Sequence, residues 1–270
     1  MITIKEKEFI QLTEYIKKNY GINLTQKKEL LVNRLQQILE QKSFRSFTDY
    51  YNYIINDRSG EAVTGLLNKV TTNHTFFLRE IEHFNFLKQR ILPELSREVK
   101  ERDLRIWSAG CSTGEEPYSI AMTIADFFGF YKNDWDTRIL ATDISRRALE
   151  VARKAIYSEE QLAGVPPGWR RAYFKKIGAE HYSLADQVKK EVIFRTFNLN
   201  DENFPFRKKF HLIFCRNVMI YFDAPTKQNL LERLYQQTET GGYLFIGHAE
   251  TINRMESKYQ YIQPAIYRKV

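Results

Sequence analysis

From Asp103 onward the chain alternates short β-forming runs with segments of helical period, and no other feature narrows its possible folds as much. The runs LRIWSA, TRILAT, EVIFRT, FHLIFC and GGYLFIGH are interleaved with EPYSIAMTIADFF, SRRALEVARKA and TKQNLLERLYQQ. Parallel neighbours need a crossover connection, and helices supply it, so this alternation predicts an α/β fold with a largely parallel sheet covered on both faces. The closing YQYIQPAIYRK reads as an antiparallel strand or hairpin. Between Tyr157 and Lys190 the alternation lapses around the turn cluster GVPPGW, and the stretch reads as a small β insertion at 157–190.

Ahead of Asp103 the pattern is helical. In LTEYIKKNYGINLTQKKELLVNRLQQILEQ, Leu31, Leu35 and Ile38 recur at helical spacing, while Gly21 and Asn23 separate two amphipathic helices. SFTDYYNYII and AVTGLLNKVT continue in the same manner. The expected organisation is a helical domain at 1–70, connecting helices at 71–102 and a sheet domain at 103–270. With 270 residues, 43% hydrophobic and 27% charged, the chain can bury a core and is not a disordered segment. It has no apolar run of signal-peptide or transmembrane length, so a soluble, cytoplasmic protein without membrane insertion is expected. Its two cysteines, Cys111 and Cys215, form no close pair, which points away from a disulfide framework or a zinc site. A formal charge of +8 favours acidic partners without choosing among nucleic acid, membrane surface and protein.

In a parallel sheet the ligand lies outside the carboxyl ends of the strands. The first run ends in Gly110-Cys-Ser-Thr-Gly114, which permits close backbone approach but is neither a dinucleotide fingerprint nor a P-loop. Glu115 and Glu116 follow, where a helix N-terminus would otherwise attract phosphate, so a cation or a phosphate-free ligand is preferred. Such glutamates also complement a helix dipole with no ligand at all. Asp143, ending the second run, is placed to accept hydrogen bonds from ribose hydroxyls, or else to begin the next helix with Ser145. Taken together they describe a nucleoside without phosphates that carries positive charge. S-adenosylmethionine has that chemistry.

TTNHTFFLREIEHF, RIWSAGCSTGEEPYSIA, LATDIS, FNLND, FHLIFCRNVMIYFD and GGYLFIGHAET, in that order, resemble the CheR-type chemotaxis receptor methyltransferases. The resemblance spans nearly the whole chain. It implies a Rossmann-like S-adenosylmethionine-dependent methyltransferase domain with a small inserted antiparallel β-subdomain, preceded by an all-α domain. The implied activity is methyl transfer to receptor glutamates, with S-adenosylhomocysteine as product and no metal. The implied cofactor contacts are Asn73, Thr75, Arg79, Glu116, Asp143, Asn198, Leu199, Cys215 and Arg216. On a helix, Thr75 and Arg79 would share a face, and Arg79 would meet the cofactor's carboxylate or the substrate glutamate. A surface pair with Glu82 is the alternative for Arg79, and a helix N-cap the alternative for Asn73.

Arg79 and Tyr221 are the candidate catalytic residues, with Asn217 shaping the loop between Arg216 and Tyr221. Ordinary packing is the alternative for Tyr221. A glutamate acceptor is already ionised near neutral pH, so alignment and exclusion of water suffice and no general base is required. None of the five histidines shows metal-ligand spacing. A covalent role for Cys215 is not expected, since no proline precedes it. Lys27 and Arg34, seven apart, are expected on one helix face, with Lys28 towards its other edge; the resemblance implies that this basic surface meets the cytoplasmic helical domain of receptors, and a merely solvated face is the alternative. A nucleic-acid methyltransferase and a non-catalytic binding module are the competing readings. The first is weakened by the absence of an N-P-P-Y-type tetrapeptide after FHLIF, and no nucleic-acid partner is expected. A monomer is expected.

Overall fold

The computed structural model describes residues 2–71, 74–253 and 255–270. They form two compact units. One comprises Met1–His74 with the later segments Asn198–Glu202 and Tyr221–Asn229; the other contains the rest of the chain.

The smaller unit is built on α1 (Glu6–Tyr20), α2 (Lys28–Gln41), α3 (Phe47–Asn56) and α4 (Glu61–Val70). Phe9, Leu12 and Ile16 line the buried stripe of α1, at the spacing that one helix face demands. The helix stops at Gly21, whose φ of 73° is left-handed, with its amide bonded to the Lys17 carbonyl. A side chain there would also meet Thr226 at 2.9 Å, so glycine is required on two counts. On α2 the fully buried stripe is Leu31, Leu35 and Leu39. Ile38, the third member read from the sequence, is half-buried. Of the later segments, the one at 221–229 enters the unit through a bridge between Ile22 and Phe222 and a bond from the Asn23 amide to the Tyr221 carbonyl.

In the larger unit α5 (Ile81–Phe86) runs through a π turn into α6 (Leu92–Glu98). There follow β1 (Ile106–Ala109), α7 (Glu115–Phe128), β2 (Ile139–Asp143), α8 (Arg146–Lys154), β3 (Ile156–Ser158), α9 (Pro167–Tyr173), β4 (Phe174–Ile177), β5 (His181–Leu184), α10 (Asp186–Lys189), β6 (Val192–Thr196) and β7 (Phe210–Phe214). The chain ends with α11 (Ala224–Gln237), β8 (Thr238–Phe245), β9 (Gln260–Gln263) and β10 (Ile266–Arg268).

The main sheet has the order β6-β2-β1-β7-β8-β10-β9. Its pairings from β6 to β8 are parallel, and β10 and β9 add antiparallel at the edge. A separate antiparallel sheet, β3-β5-β4, occupies the stretch where the sequence alternation lapses. The central strands are buried on both faces, with Ile106, Trp107, Ile139, Leu212, Ile213 and Phe214 at 1% exposure or less, which is why they read as unbroken apolar runs. Phe214 and Phe245 stack with ring centroids 4.2 Å apart and tie β7 to β8. Strand order reverses between β1 and β7, which opens a crevice outside their carboxyl ends.

Candidate active site

The loop leaving β1 is shaped by its glycines. Gly110 has φ 86°, and a Cβ there would lie 2.4 Å from Val218, so only glycine lets the two loops flanking the crevice meet. The amides of Gly110 and Cys111 bond the Thr142 carbonyl at 2.8 and 2.9 Å, which ties this loop to the end of β2.

Glu115 and Glu116 then diverge. Glu115 is fully buried, and its carboxylate accepts from Thr113 Oγ1 at 2.6 Å and Gln161 Nε2 at 3.2 Å. It is a structural support for the loop. Glu116 turns back along β1: Oε1 accepts from Ser108 Oγ at 2.7 Å, and Oε2 from Arg216 Nη1 at 3.0 Å. Burial pushes its carboxyl above the ordinary value, and the Arg216 guanidinium opposes that shift.

Asp143 closes β2. Its oxygens accept from the amides of Ser112 and Ser145, each at 2.8 Å. Burial raises its pKa against the pull of these N–H groups. The Ile144 amide bonds the carboxylate as well, so backbone N–H groups fix its orientation at the end of β2, where a vicinal diol would meet it. The Ser145 side chain caps α8 by accepting from the Ala148 amide, so the cap falls to Ser145 and not to Asp143.

Arg216, just beyond β7, has a side chain only 2% exposed. It bridges Glu116 to Glu80, with Nη2 3.1 Å from Glu80 Oε2, and also donates to the Arg79 carbonyl. Its guanidinium lies 5.5 Å from the Phe84 ring centroid. Burial would raise the Glu80 carboxyl, but Arg216 and the hydrogen bonds from His248 and Asn217 hold it below the ordinary value. Next to them His83 is pushed down to about 3, by burial first and by Arg216 second, so its 3.5 Å approach to Glu80 is not an ion pair near neutral pH. Donor atoms of Glu80, His83 and His248 lie within 4.8 Å of one another. Both Glu80 oxygens are nevertheless committed to Arg216, Asn217 and the His248 amide, and the guanidinium disfavours a second cation there.

The structure corrects the expected helix through Thr75 and Arg79. Residues 74–80 are irregular, with a turn at Phe77–Leu78 and left-handed backbone at Leu78 and Glu80, and α5 begins only at Ile81. Thr75 and Arg79 therefore share no helix face, and Glu82 lies on a different element from Arg79. Arg79 is half-buried, its guanidinium 6.0 Å from the Phe76 ring centroid. Cys215 is fully buried, its amide bonded to the Phe245 carbonyl and its thiol pushed well up by burial, which suits packing and not attack. Asn73 lies outside the described residues.

Asn198, Leu199 and Tyr221 belong to the smaller unit. Asn198 donates to the Asn19 carbonyl at 2.8 Å and to Asp201, and Leu199 is buried. Tyr221 is half-buried. The basic set on α2 divides three ways. Lys27 is exposed at the helix start, Lys28 pairs with Glu6 at 2.5 Å, and Arg34 donates to the Lys69 and Val70 carbonyls at 3.2 and 3.1 Å, capping α4. Sequence reasoning missed Glu80 altogether. Its adjacency to Arg79 is the only signal, and spacing cannot reveal that it partners a residue 136 positions away.

Glycines that admit close approach, a diol acceptor ending β2 and a crevice rich in carboxylates at the switch point fit a phosphate-free, cationic nucleoside. With the seven-stranded sheet they define an S-adenosylmethionine-dependent methyltransferase. Residues 73–267 match the family model described as "CheR methyltransferase, SAM binding domain", and residues 7–71 match "CheR methyltransferase, all-alpha domain". The chain belongs to the CheR methyltransferase family. It is 42% identical to the chemotaxis protein methyltransferase of Borreliella burgdorferi, over 99% of this chain and 96% of that protein. It is 36% identical to chemotaxis protein methyltransferase 1 of Pseudomonas aeruginosa, covering 92% of each. Identity to the chemotaxis protein methyltransferase of Escherichia coli is 34%, over 98% of this chain and 92% of that one. Among the described residues no helix is long and apolar enough to cross a membrane.

Proposed function

We propose that this protein methylates glutamate side chains in the cytoplasmic helical domain of chemotaxis receptors, giving glutamate methyl esters, and that it acts as a cytoplasmic monomer. The relatives named as chemotaxis protein methyltransferases support the receptor as substrate. The observation that carries the reading is the carboxylate of Asp143 at the end of β2, held by the Ser112 and Ser145 amides where a ribose diol would meet it. A glutamate acceptor arrives already ionised near neutral pH, so alignment suffices.

When bound, S-adenosylmethionine supplies a methyl group on a positively charged sulfur that leaves as a neutral thioether. A glutamate oxygen forms the new bond to that carbon as the carbon–sulfur bond breaks, and no proton is transferred. In this reading Asp143 holds the ribose hydroxyls and Glu116 lines the same crevice, fixed by Ser108 and Arg216. Thr75, Asn73, Asn198 and Leu199 complete the cofactor contacts, together with backbone atoms at Cys215 and Arg216. Arg79 orients the incoming carboxylate, and Tyr221 borders the methyl group; both act by alignment. On the receptor side, exposed Lys27 is the contact, because Lys28 and Arg34 are engaged within their own unit.

The test is transfer from methyl-labelled S-adenosylmethionine to chemoreceptor membranes, followed by alkali. Volatile label released as methanol is the expected result. Alkali-stable label on protein, or label on nucleic acid, would overturn the reading.

A further inference from the structure

Glu250 has no place in the chemistry above, yet few carboxylates in the molecule are so completely engaged. It is 5% exposed and accepts backbone N–H groups: Met219 on Oε1 at 2.7 Å, Asn217 and Gly247 on Oε2 at 2.8 and 2.6 Å, and Ile220 as well. The amides of Asn217, Met219 and Ile220 lie in the loop after β7 and that of Gly247 in the loop after β8. The β7–β8 ladder makes its last bond between the Cys215 amide and the Phe245 carbonyl. Beyond that rung Glu250 joins the two loops.

The contact between the loops is close. A Cβ on Gly247 would lie 2.3 Å from Asn217 Nδ2, so the glycine leaves room for the asparagine. Asn217 itself is held at φ 59°, an uncommon conformation for a residue with a side chain. Its side-chain amide donates to Glu80 at 3.3 Å while its backbone amide donates to Glu250, so the residue is pinned from both ends. The pinned segment begins with Arg216, which organises Glu80 and Glu116, and leads within two residues of Met219 to Tyr221.

We infer that Glu250 is a positioning residue for methyl transfer: its carboxylate clamps the 215–219 loop to the loop after β8 and fixes the backbone that presents Arg216 and leads into Tyr221. This inference rests on the methyl-transfer reading above. A carboxylate suits the task because it accepts all of these N–H groups and donates nothing. A glutamine of the same length would turn its NH2 towards at least one backbone donor.

Glu250→Gln and Glu250→Ala in the full chain test the clamp. Hydrogen exchange of the 215–221 and 246–250 segments, S-adenosylhomocysteine affinity by calorimetry, and kcat and KM for receptor methylation are the readouts. Expected for Glu250→Gln is exchange in those segments faster by at least about tenfold, since a buried amide loses its acceptor. A kcat reduced roughly 10- to 100-fold should accompany it, as misplacement of about 1 Å can cause. KM for the receptor should stay within about threefold, and cofactor affinity should fall by less than kcat, because Asp143 and Glu116 lie outside the loosened loop while the backbone contacts at Cys215 and Arg216 lie on it. Glu250→Ala should show the same pattern more strongly, and Glu250→Gln decides the matter if the alanine variant does not fold. Unchanged exchange in Glu250→Gln overturns the clamp, as does faster exchange with unchanged kcat. A uniform rise in exchange across the sheet with normal kcat per folded molecule would make the residue merely structural. Absence of transfer by the unaltered protein overturns the substrate reading and the catalytic role with it, whereas unchanged exchange defeats the clamp alone.

Discussion

The crevice end of the sheet and the basic face of α2 both carry charged residues, but they hold them in opposite ways. At the crevice Glu80, Glu116 and Arg216 are nearly enclosed, and the bonds they make leave little freedom of orientation. On α2 Lys27 faces solvent, Lys28 makes an exposed pair and Arg34 caps a neighbouring helix. Burial makes an unpartnered charge costly, so each crevice charge is tied to a role, whereas an exposed charge costs little and is compatible with many. Chemistry is therefore legible at the crevice and partner choice is faint on α2.

The largest effect that would break this contrast is at Arg216. Its replacement by Met leaves two acidic side chains facing each other without a cation, and a loss of about 3–5 kcal/mol in unfolding free energy is expected. Urea denaturation checks it, and a loss under 1 kcal/mol would show the network to be dispensable. Next comes Asp143→Ala. Calorimetry with S-adenosylhomocysteine should show affinity lower by about 10- to 100-fold, the value of hydrogen bonds to a charged group. An unaltered affinity would remove Asp143 from the ribose.

A pH dependence follows from His83. Its folded-state pKa is depressed from 6.5 to about 3, so the unfolded chain binds the extra proton first. The stability associated with the neutral ring is present above 6.5 and is lost as pH falls towards 3, at up to about 1.4 kcal/mol per pH unit for this one group. Glu80, held below the ordinary value, adds stability that is lost at the acid end of the same range. A His83→Gln variant should flatten the profile as pH falls from 6.5 towards about 3, the window between the unfolded and folded values. Identical slopes in both proteins would contradict the assignment.

The smallest effects belong to α2. Arg34→Ala should cost about 1 kcal/mol through the lost cap on α4. Lys27→Glu should leave stability and cofactor affinity unchanged and lower receptor methylation at low salt only. Reversing Lys27 and Arg34 together would confuse the two effects, because a glutamate at Arg34 would face the carbonyl end of a helix. Methylation indifferent to Lys27→Glu would remove α2 from receptor recognition.

Much of the larger unit was readable in the chain. Its central strands are buried on both faces and bounded by turn residues, so the runs ending at Ala109, Asp143 and Phe214 carried their own boundaries. The glycine loop and Asp143 were legible because strand ends in such a sheet face the crevice. Three features were not. The turn at 74–80 has helix-compatible residues, and the left-handed Leu78 and Glu80 are imposed by tertiary contacts such as the bond from the Leu78 amide to Ser119. Glu115 and Glu116 are chemically identical neighbours, and only the fold sends one to Gln161 and the other to Arg216. Glu250 serves loops that sequence order separates by about thirty residues, so no local pattern marks it.

The measurement closest to the central claim is mass-spectrometric mapping of a chemoreceptor after reaction with S-adenosylmethionine and this protein, before and after mild alkali. One methyl group on glutamate side chains, absent from the Asp143→Ala reaction at limiting cofactor and erased by alkali, is the predicted result. Methylation on lysine or arginine nitrogen, or none on any glutamate of a receptor from the same cell, would contradict it.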